Sequence, residues 1–312
     1  MFLLRIIGNM KRNIYSKLWM IFFVLMGAAC TNQVEDAIPV SDQPIEFSVQ
    51  SDWKEIPNTR LNAGRDSFAP KDTIQIFGFH RSSSSAEVKF MYHVNDRNRG
   101  QKVVLDENKN WNYSPKRFWP KEGKLDFYAG CPHFSVLNDS ANHKMTYVQD
   151  VNPLEVDLLW GVSNNHDCVK DRNTKVDIKM KHALAKVIIN FDKSSLSNIK
   201  QADVFAYKKG SFSQTDSQGI PIWNVDTTST QQATLTPFED QQTIGDATVF
   251  ILPGKITGLI LTTLDGEKID ASKKIQNLKF KAGKLYDLTI SKGEQKNTKT
   301  RSIVMSVRCV SE

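Results

Sequence analysis

Catalysis and metal binding need clustered groups, and this sequence disperses them. The six histidines, His80, His93, His133, His143, His166 and His182, are scattered, and only Cys131-Pro132-His133 and His166-Asp167-Cys168 set a thiol and an imidazole two residues apart. A structural metal asks for more ligands at closer spacing, so neither pair calls for a metal, and nothing else calls for a cofactor. Glu155 with Asp157, or Glu239 with Asp240, could move protons only if a cleft gathered them; in loops they are solvated charge. The sequence holds no G-x-x-x-x-G-K, G-x-G-x-x-G, H-E-x-x-H or G-x-S-x-G, and it reads as non-catalytic. Aromatic residues are denser: Trp111, Tyr113, Phe118, Trp119, Phe127 and Tyr128 share one stretch. Exposed rings would stack on sugars, whereas rings alternating along short strands are more often core. Trp111, Trp119 and Trp223 discriminate, since a glycan-binding surface needs them in solvent and a core needs them buried.

A different chemistry is written near the N-terminus. Leu18 to Ala29 is uncharged and apolar, follows Lys11, Arg12 and Lys17, and leads directly into Cys30. As a helix it would reach about 18 Å, short of a bilayer core of about 30 Å, so residues 1–29 read as a signal peptide. Met10 opens a compact signal of its own and is an alternative start to Met1. Gly27, Ala28 and Ala29 before Cys30 resemble the lipobox of bacterial lipoproteins, with Gly27 where Leu is usual, so Cys30 is the expected acylation site. Glu35 and Asp36 resemble the acidic tag that sends Bacteroidetes lipoproteins to the outer face of the outer membrane. With Cys30 acylated, Cys131, Cys168 and Cys309 remain, an odd set that allows at most one internal disulfide and leaves its pairing open.

The 312 residues suggest two modest domains, and a composition of 40% hydrophobic and 24% charged residues is that of a folded protein. The formal charge of +7 is partly the leader's, because Arg5, Lys11, Arg12 and Lys17 face no acid in the first 29 residues. The rest is near balance, at about +3, which leaves no electrostatic footprint for nucleic acid.

The elements that must position these residues are strands. Apolar and polar residues alternate in short runs bounded by Gly, Pro, Asn and Asp, as in Ile45 to Val49, Thr73 to Phe79, Lys124 to Tyr128, Val176 to Met180, Ala185 to Phe191, Val204 to Tyr207, Thr248 to Leu252 and Leu285 to Ile290. Helix is limited to a turn or two at Val156 to Trp160 and Ser195 to Ile199. Between Val176 and Phe191 the apolar positions switch from even to odd numbers, which requires a bulge or a handover between sheets. The expected architecture is mostly β, two sandwiches in series: a tether over 30–43, an N-terminal sandwich over 44–173, a C-terminal sandwich over 174–290, and a linker with a terminal strand over 291–312. In that strand Ile303, Met305, Val307 and Cys309 form one apolar face, and it is either the last strand of the second sandwich or a segment donated to a neighbour.

Ordered segments across residues 44 to 290 resemble the fimbrillin family of Bacteroidales, the subunits and accessory proteins of type V pili. They are Pro44-Ile45-Glu46-Phe47; Thr59-Arg60 ahead of Asp72 to Phe77; Trp111-Asn112-Tyr113-Ser114-Pro115 with Phe118-Trp119-Pro120; Leu125-Asp126-Phe127-Tyr128-Ala129; Asp157 to Gly161; Met180 to Val187; Ile251-Leu252-Pro253; and Phe280 to Leu288. The resemblance implies transthyretin-like sandwiches, export as a lipoprotein, other fimbrillin-family subunits as partners, and assembly by strand exchange. An Arg-specific protease would cut at Arg60 and release the strand carrying Ile45, Phe47 and Val49, and the strand of Ile303, Met305, Val307 and Cys309 would be the donor. Arg65 and Arg301 are further protease targets. A missing strand leaves unpaired backbone and an apolar slot, which a strand of period-two side chains satisfies. The alternative function is a surface lipoprotein that binds host or bacterial glycans without polymerising.

Overall fold

The computed structural model describes residues 38–51, 67–82, 86–133, 135–138, 143–148, 154, 156–237, 241–293 and 302–309. Val40–Glu312 forms one compact unit. Its first strands are β1 (Val40–Pro44), β2 (Phe47–Ser51), β3 (Thr73–Arg81), β4 (Val88–Met91), β5 (Gln101–Leu105), β6 (Trp111–Asn112), β7 (Phe118–Pro120), β8 (Lys124–Cys131), β9 (Val136–Asn138), β10 (Met145–Val148), β11 (Leu159–Asp167) and β12 (Val176–His182). There follow β13 (Ala185–Phe191), β14 (Ile199–Phe212), β15 (Asn224–Leu235), β16 (Asp246–Ile251), β17 (Ile256–Thr263), β18 (Lys268–Asp270), one helical turn α1 (Ser272–Ile275), β19 (Leu285–Gly293) and β20 (Ser302–Cys309). The protein is nearly all β.

The first half is built on an eight-stranded sheet in the order β2-β12-β11-β8-β3-β5-β6, with β4 also on β3, while β1 and β7 form a separate ribbon. Near the end of the sheet β12 is half-buried, with Val176, Ile178 and Met180 inward and Asp177 and Lys179 in solvent, as period-two alternation requires. The central strands β3 and β8 are covered on both faces. Phe77 sits opposite Tyr128 and Gly78 opposite Phe127, and Phe127 meets Phe47 and Trp119 on one face while Tyr128 meets Phe79 and Trp160 on the other. Gly78 is required by that closeness, since a Cβ there would lie 2.8 Å from the Met91 Cβ.

The second half packs the sheet β16-β13-β19-β20 against β14, β15 and β17 around Val187, Ile189, Val204, Leu259, Leu261 and Leu288. β13 and β19 run parallel; between them β16 returns to pair with β13 in the same sheet, while β14, β15, β17 and β18 lie in the other layer. The change of inward phase after Met180 is a handover between sheets: β12 completes the first sheet and β13 begins the second. The handover therefore falls at Ala183–Leu184 and not between 173 and 174, because Val176–His182 pairs with β2 and β11. Ala183 N–H donates to Leu158 O at 2.7 Å and Gly283 N–H to Leu184 O at 2.9 Å, so the switch point is tied to both halves.

The halves share a core. One stretch of β14 pairs with β17, and its last residues, 209–212, pair with β10. Phe77, Phe79 and Trp160 of the first sheet meet Phe212, Phe250 and Leu252 of the second half in one cluster. The helical turns expected at Val156 to Trp160 and Ser195 to Ile199 are absent: Leu159 and Trp160 open β11, and Ser195 and Leu196 close a turn on Asp192 O.

Candidate functional site

The N-terminal strand combines alternating apolar residues, deep burial and a place at the edge of the first sheet. Ile45, Phe47 and Val49 retain 0%, 3% and 9% of their surface, so all three alternating side chains are inserted in the body. The Phe47 ring lies 5.8 Å from the Tyr113 ring and 5.4 Å from the Phe127 ring. Its backbone is held on one side by parallel pairing with β12, Val176 opposite Phe47 through Met180 opposite Ser51. Ile45 N–H donates to Arg117 O at 2.9 Å, Val176 N–H to Glu46 O at 2.8 Å, and the Tyr113 hydroxyl to Ile45 O at 2.8 Å. Burial pushes the Tyr113 phenol up to about 12, so it stays a neutral donor, and the Lys116 ammonium stands 4.8 Å above its ring. Upstream, β1 crosses β7, where the Ser41 hydroxyl donates to Trp119 O at 3.0 Å. Burying three such side chains is worth about 5–9 kcal/mol at about 1.5–3 kcal/mol each.

The second candidate element is the C-terminal strand. β20 pairs antiparallel with β19 along its whole length, Gly293 opposite Ser302 through Tyr286 opposite Cys309, and forms the edge of its sheet. Ile303 is buried, and Met305 and Val307 pack half-buried against the second core, while Val304, Ser306 and Arg308 face solvent. The apolar face read from the sequence ends at Val307, because Cys309 is exposed. Cys131, Cys168 and Cys309 are all thiols, and burial pushes the first two up to about 12, far from reactive.

Cys30, Arg60, Arg65 and Arg301 lie outside the described residues, as do Glu155, Glu239 and Asp240. Trp111 and Trp119 retain 7% and 0% of their surface and are core. Trp223 is docked edge-on against Phe212 at 4.8 Å, its Nε1–H donating to Ala183 O at 2.7 Å. These three rings are therefore no sugar platform. Among the described residues, no three of His, Cys, Asp and Glu converge to hold a metal ion, and no helix is long and apolar enough to cross a membrane.

Two features escaped the reading of the sequence. Tyr113 is the clamp on the first strand, which only its position could reveal, although it stands at the centre of the W-x-Y-x-P block. At the sheet handover, the Asp157 carboxylate accepts from the His182 ring, both largely buried, and burial lowers the nearby Lys186 amine to about 8. The signal for that cluster was the spacing of His182 and Lys186 in Met180 to Val187, but nothing local marks Asp157 as their partner.

A profile of the family described as fimbrillin-like matches residues 59–306. Among solved structures, a candidate cell adhesion protein from Bacteroides uniformis aligns with a TM-score of 0.53 at 19% identity, over 89% of this chain and 100% of its own. A candidate cell adhesion protein from Bacteroides ovatus gives 0.52 at 13% identity, over 86% and 98%. The tip fimbrial protein Mfa3 from Porphyromonas gingivalis, with a C-terminal truncation, gives 0.43 at 9% identity, over 85% and 99%. No curated protein matches the sequence. At these identities the likeness to the two Bacteroides structures is one of fold.

Proposed function

The chain belongs to the fimbrillin-like family, and from that premise we propose that it is a non-catalytic fimbrial or adhesion component of the bacterial surface. It is held at the outer membrane through acylated Cys30 and joins other fimbrial subunits by exchanging its first strand. The observation that carries this reading is the N-terminal strand: three inserted side chains, one ladder of backbone pairing, and a covalent tie to the body only through the segment 52–66 that holds Arg60. A cut at Arg60 turns that strand into a bound peptide. Its loss would open a slot walled by Tyr113, Phe127 and β12, with the β12 backbone unpaired. Parallel pairing is slightly weaker per residue than antiparallel, so an incoming strand running against β12 offsets the loss of the old one. The donor is β20 of a neighbouring copy or subunit, with Ile303, Met305 and Val307 entering the places of Ile45, Phe47 and Val49. Release of β20 from its own β19 is part of the exchange.

The test uses the soluble chain 31–312 with trace Arg-specific protease, following release of the N-terminal fragment and heat-sensitive ladders on unboiled gels. Cutting at Arg60 with fragment release and a ladder is the expected result. Release without a ladder keeps the open slot but assigns its occupant to a different subunit. Resistance at Arg60, or a cut fragment that never leaves, overturns strand exchange for this protein.

A further inference from the structure

Where the first sheet meets the end of β14, the structure holds an open cleft of about 290 Å³. Its floor is Trp160, Phe212 and Met145, and Tyr128 and Val162 stand at its side. The Tyr128 and Trp160 rings are stacked at 6.3 Å, and Phe212 meets Trp160 edge-on at 5.0 Å. The rim is Asn164, Ser213, Gln214 and Thr215, with His143 closing one side. Of these three aromatic residues, Tyr128 belongs to the aromatic stretch weighed in the sequence as a sugar platform, and Trp160 and Phe212 do not.

The rim is held in place. His143 Nε2 lies 2.7 Å from a Glu87 carboxylate oxygen, its Nδ1 lies 2.9 Å from the Tyr128 hydroxyl, and its ring packs 4.3 Å from the Phe79 ring. Burial raises the Tyr128 phenol to about 12, so it faces the cleft as a neutral hydroxyl. No Lys or Arg lines the cleft, and no carboxylate does. What lines it is aromatic surface beside amides and hydroxyls, each able both to donate and to accept. The one basic group on the cleft wall, His143, is already paired with Glu87, so an anion gains little here, and a purely apolar ligand would leave the rim unpaired. A ligand with one C–H-rich face and hydroxyls around its edge satisfies both parts.

We infer that this cleft binds one residue of a neutral glycan, its apolar face toward Tyr128 and its hydroxyls toward Asn164, Gln214 and Thr215. The size supports one sugar rather than a chain, since the cleft sits at the lower edge of the range of about 300–1,000 Å³ for small-molecule sites. The site draws on both halves of the molecule, because Tyr128, Trp160 and Asn164 come from the first sheet and Phe212 to Thr215 from the second half. It is independent of strand exchange, as none of its lining residues lies on β2 or β20.

The experiment is an array of neutral and acidic oligosaccharides probed with the soluble chain 31–312, followed by titration of the retained sugar into the wild type and into an Asn164→Ala, Gln214→Ala double variant. Both substituted residues are exposed, but Asn164 also hydrogen-bonds the Tyr128 hydroxyl, so the variant is expected to melt slightly below the wild type and affinities are compared well below both transitions. Retention of at least one neutral oligosaccharide, with affinity reduced more than tenfold in the double variant, is the expected result. A Thr215→Val variant, which replaces a rim hydroxyl by a methyl group at equal volume, should also weaken binding and reports on the cleft by itself. Retention of acidic glycans alone, retention unaffected by the double variant, or no retention at all overturns the assignment.

Discussion

At the scale of single residues, Tyr113 is the side chain that ties the first strand to the body by chemistry rather than by shape. Tyr113→Phe removes one buried hydrogen bond to Ile45 O and is expected to cost about 1–1.5 kcal/mol in urea unfolding. It should also speed loss of the N-terminal fragment after a cut at Arg60, about tenfold, because the ring stays and only the tether goes. Lys186 carries a pH signature. Its folded value of about 8 lies below the ordinary 10.5, so between those limits the unfolded chain keeps a proton that the folded chain has shed. Stability from this group therefore rises as pH climbs through that window, by about 1–3 kcal/mol, and the folded state below it carries a costly buried charge. The buried thiols Cys131 and Cys168 act in the opposite sense above about pH 9, so the measurement is the difference between wild type and Lys186→Met in chemical unfolding from pH 7 to 11. That difference should grow with pH; a flat one would place Lys186 in solvent. The dispersal of histidines and the lack of catalytic motifs were legible at this scale. The pairing of Asp157 with His182 was not, because 25 residues separate them and only the sheet handover brings them together.

At the scale of elements, alternation exposed β12, β13, β19 and β20 among the long strands, since a half-buried strand prints its two faces directly into sequence, and it passed over β11, β15 and β17. Val176 to Met180 is such a case, and so is Ile303 to Val307. The reading failed where burial is two-sided or set by ends: Cys309 has the parity of the core face but lies past its edge, and the continuous run in β3 hides that Phe77 and Gly78 serve different cores. β20 is the element most open to test. As an edge strand it is held by β19 and by Ile303, Met305 and Val307 alone. Met305→Asp with Val307→Asp should detach it, at about 2–4 kcal/mol, because two carboxylates cannot be buried there unpaired. Hydrogen exchange should then quicken at the alternate β19 amides that bond β20, while those that bond β13, and the β13 and β14 amides, stay protected. Equal loss of protection throughout would mean that β20 is integral to the second core.

At the scale of the whole molecule, the two halves named by sequence are stitched by β14, by the handover at Ala183–Leu184 and by the core of Phe77, Trp160, Phe212 and Phe250. The handover between sheets was legible from the parity switch, whereas the shared core was not, because its members come from strands far apart in the chain. One consequence is cooperative unfolding: calorimetry of the chain 31–312 should show a single transition, and two resolved transitions would mean the seam contributes little. In the proposed exchange, the same integration would keep the body folded without its peripheral strand. The most direct measurement of that exchange uses Ser48→Cys with Asp177→Cys, which stand opposite each other in the β2–β12 register, so that a disulfide staples β2 in place. After cutting at Arg60, uptake of a labelled peptide of residues 301–310 is measured with the staple oxidised and reduced. Uptake by the reduced, cut chain alone is the expected result, whereas uptake in both states, or in neither, would contradict exchange at this slot.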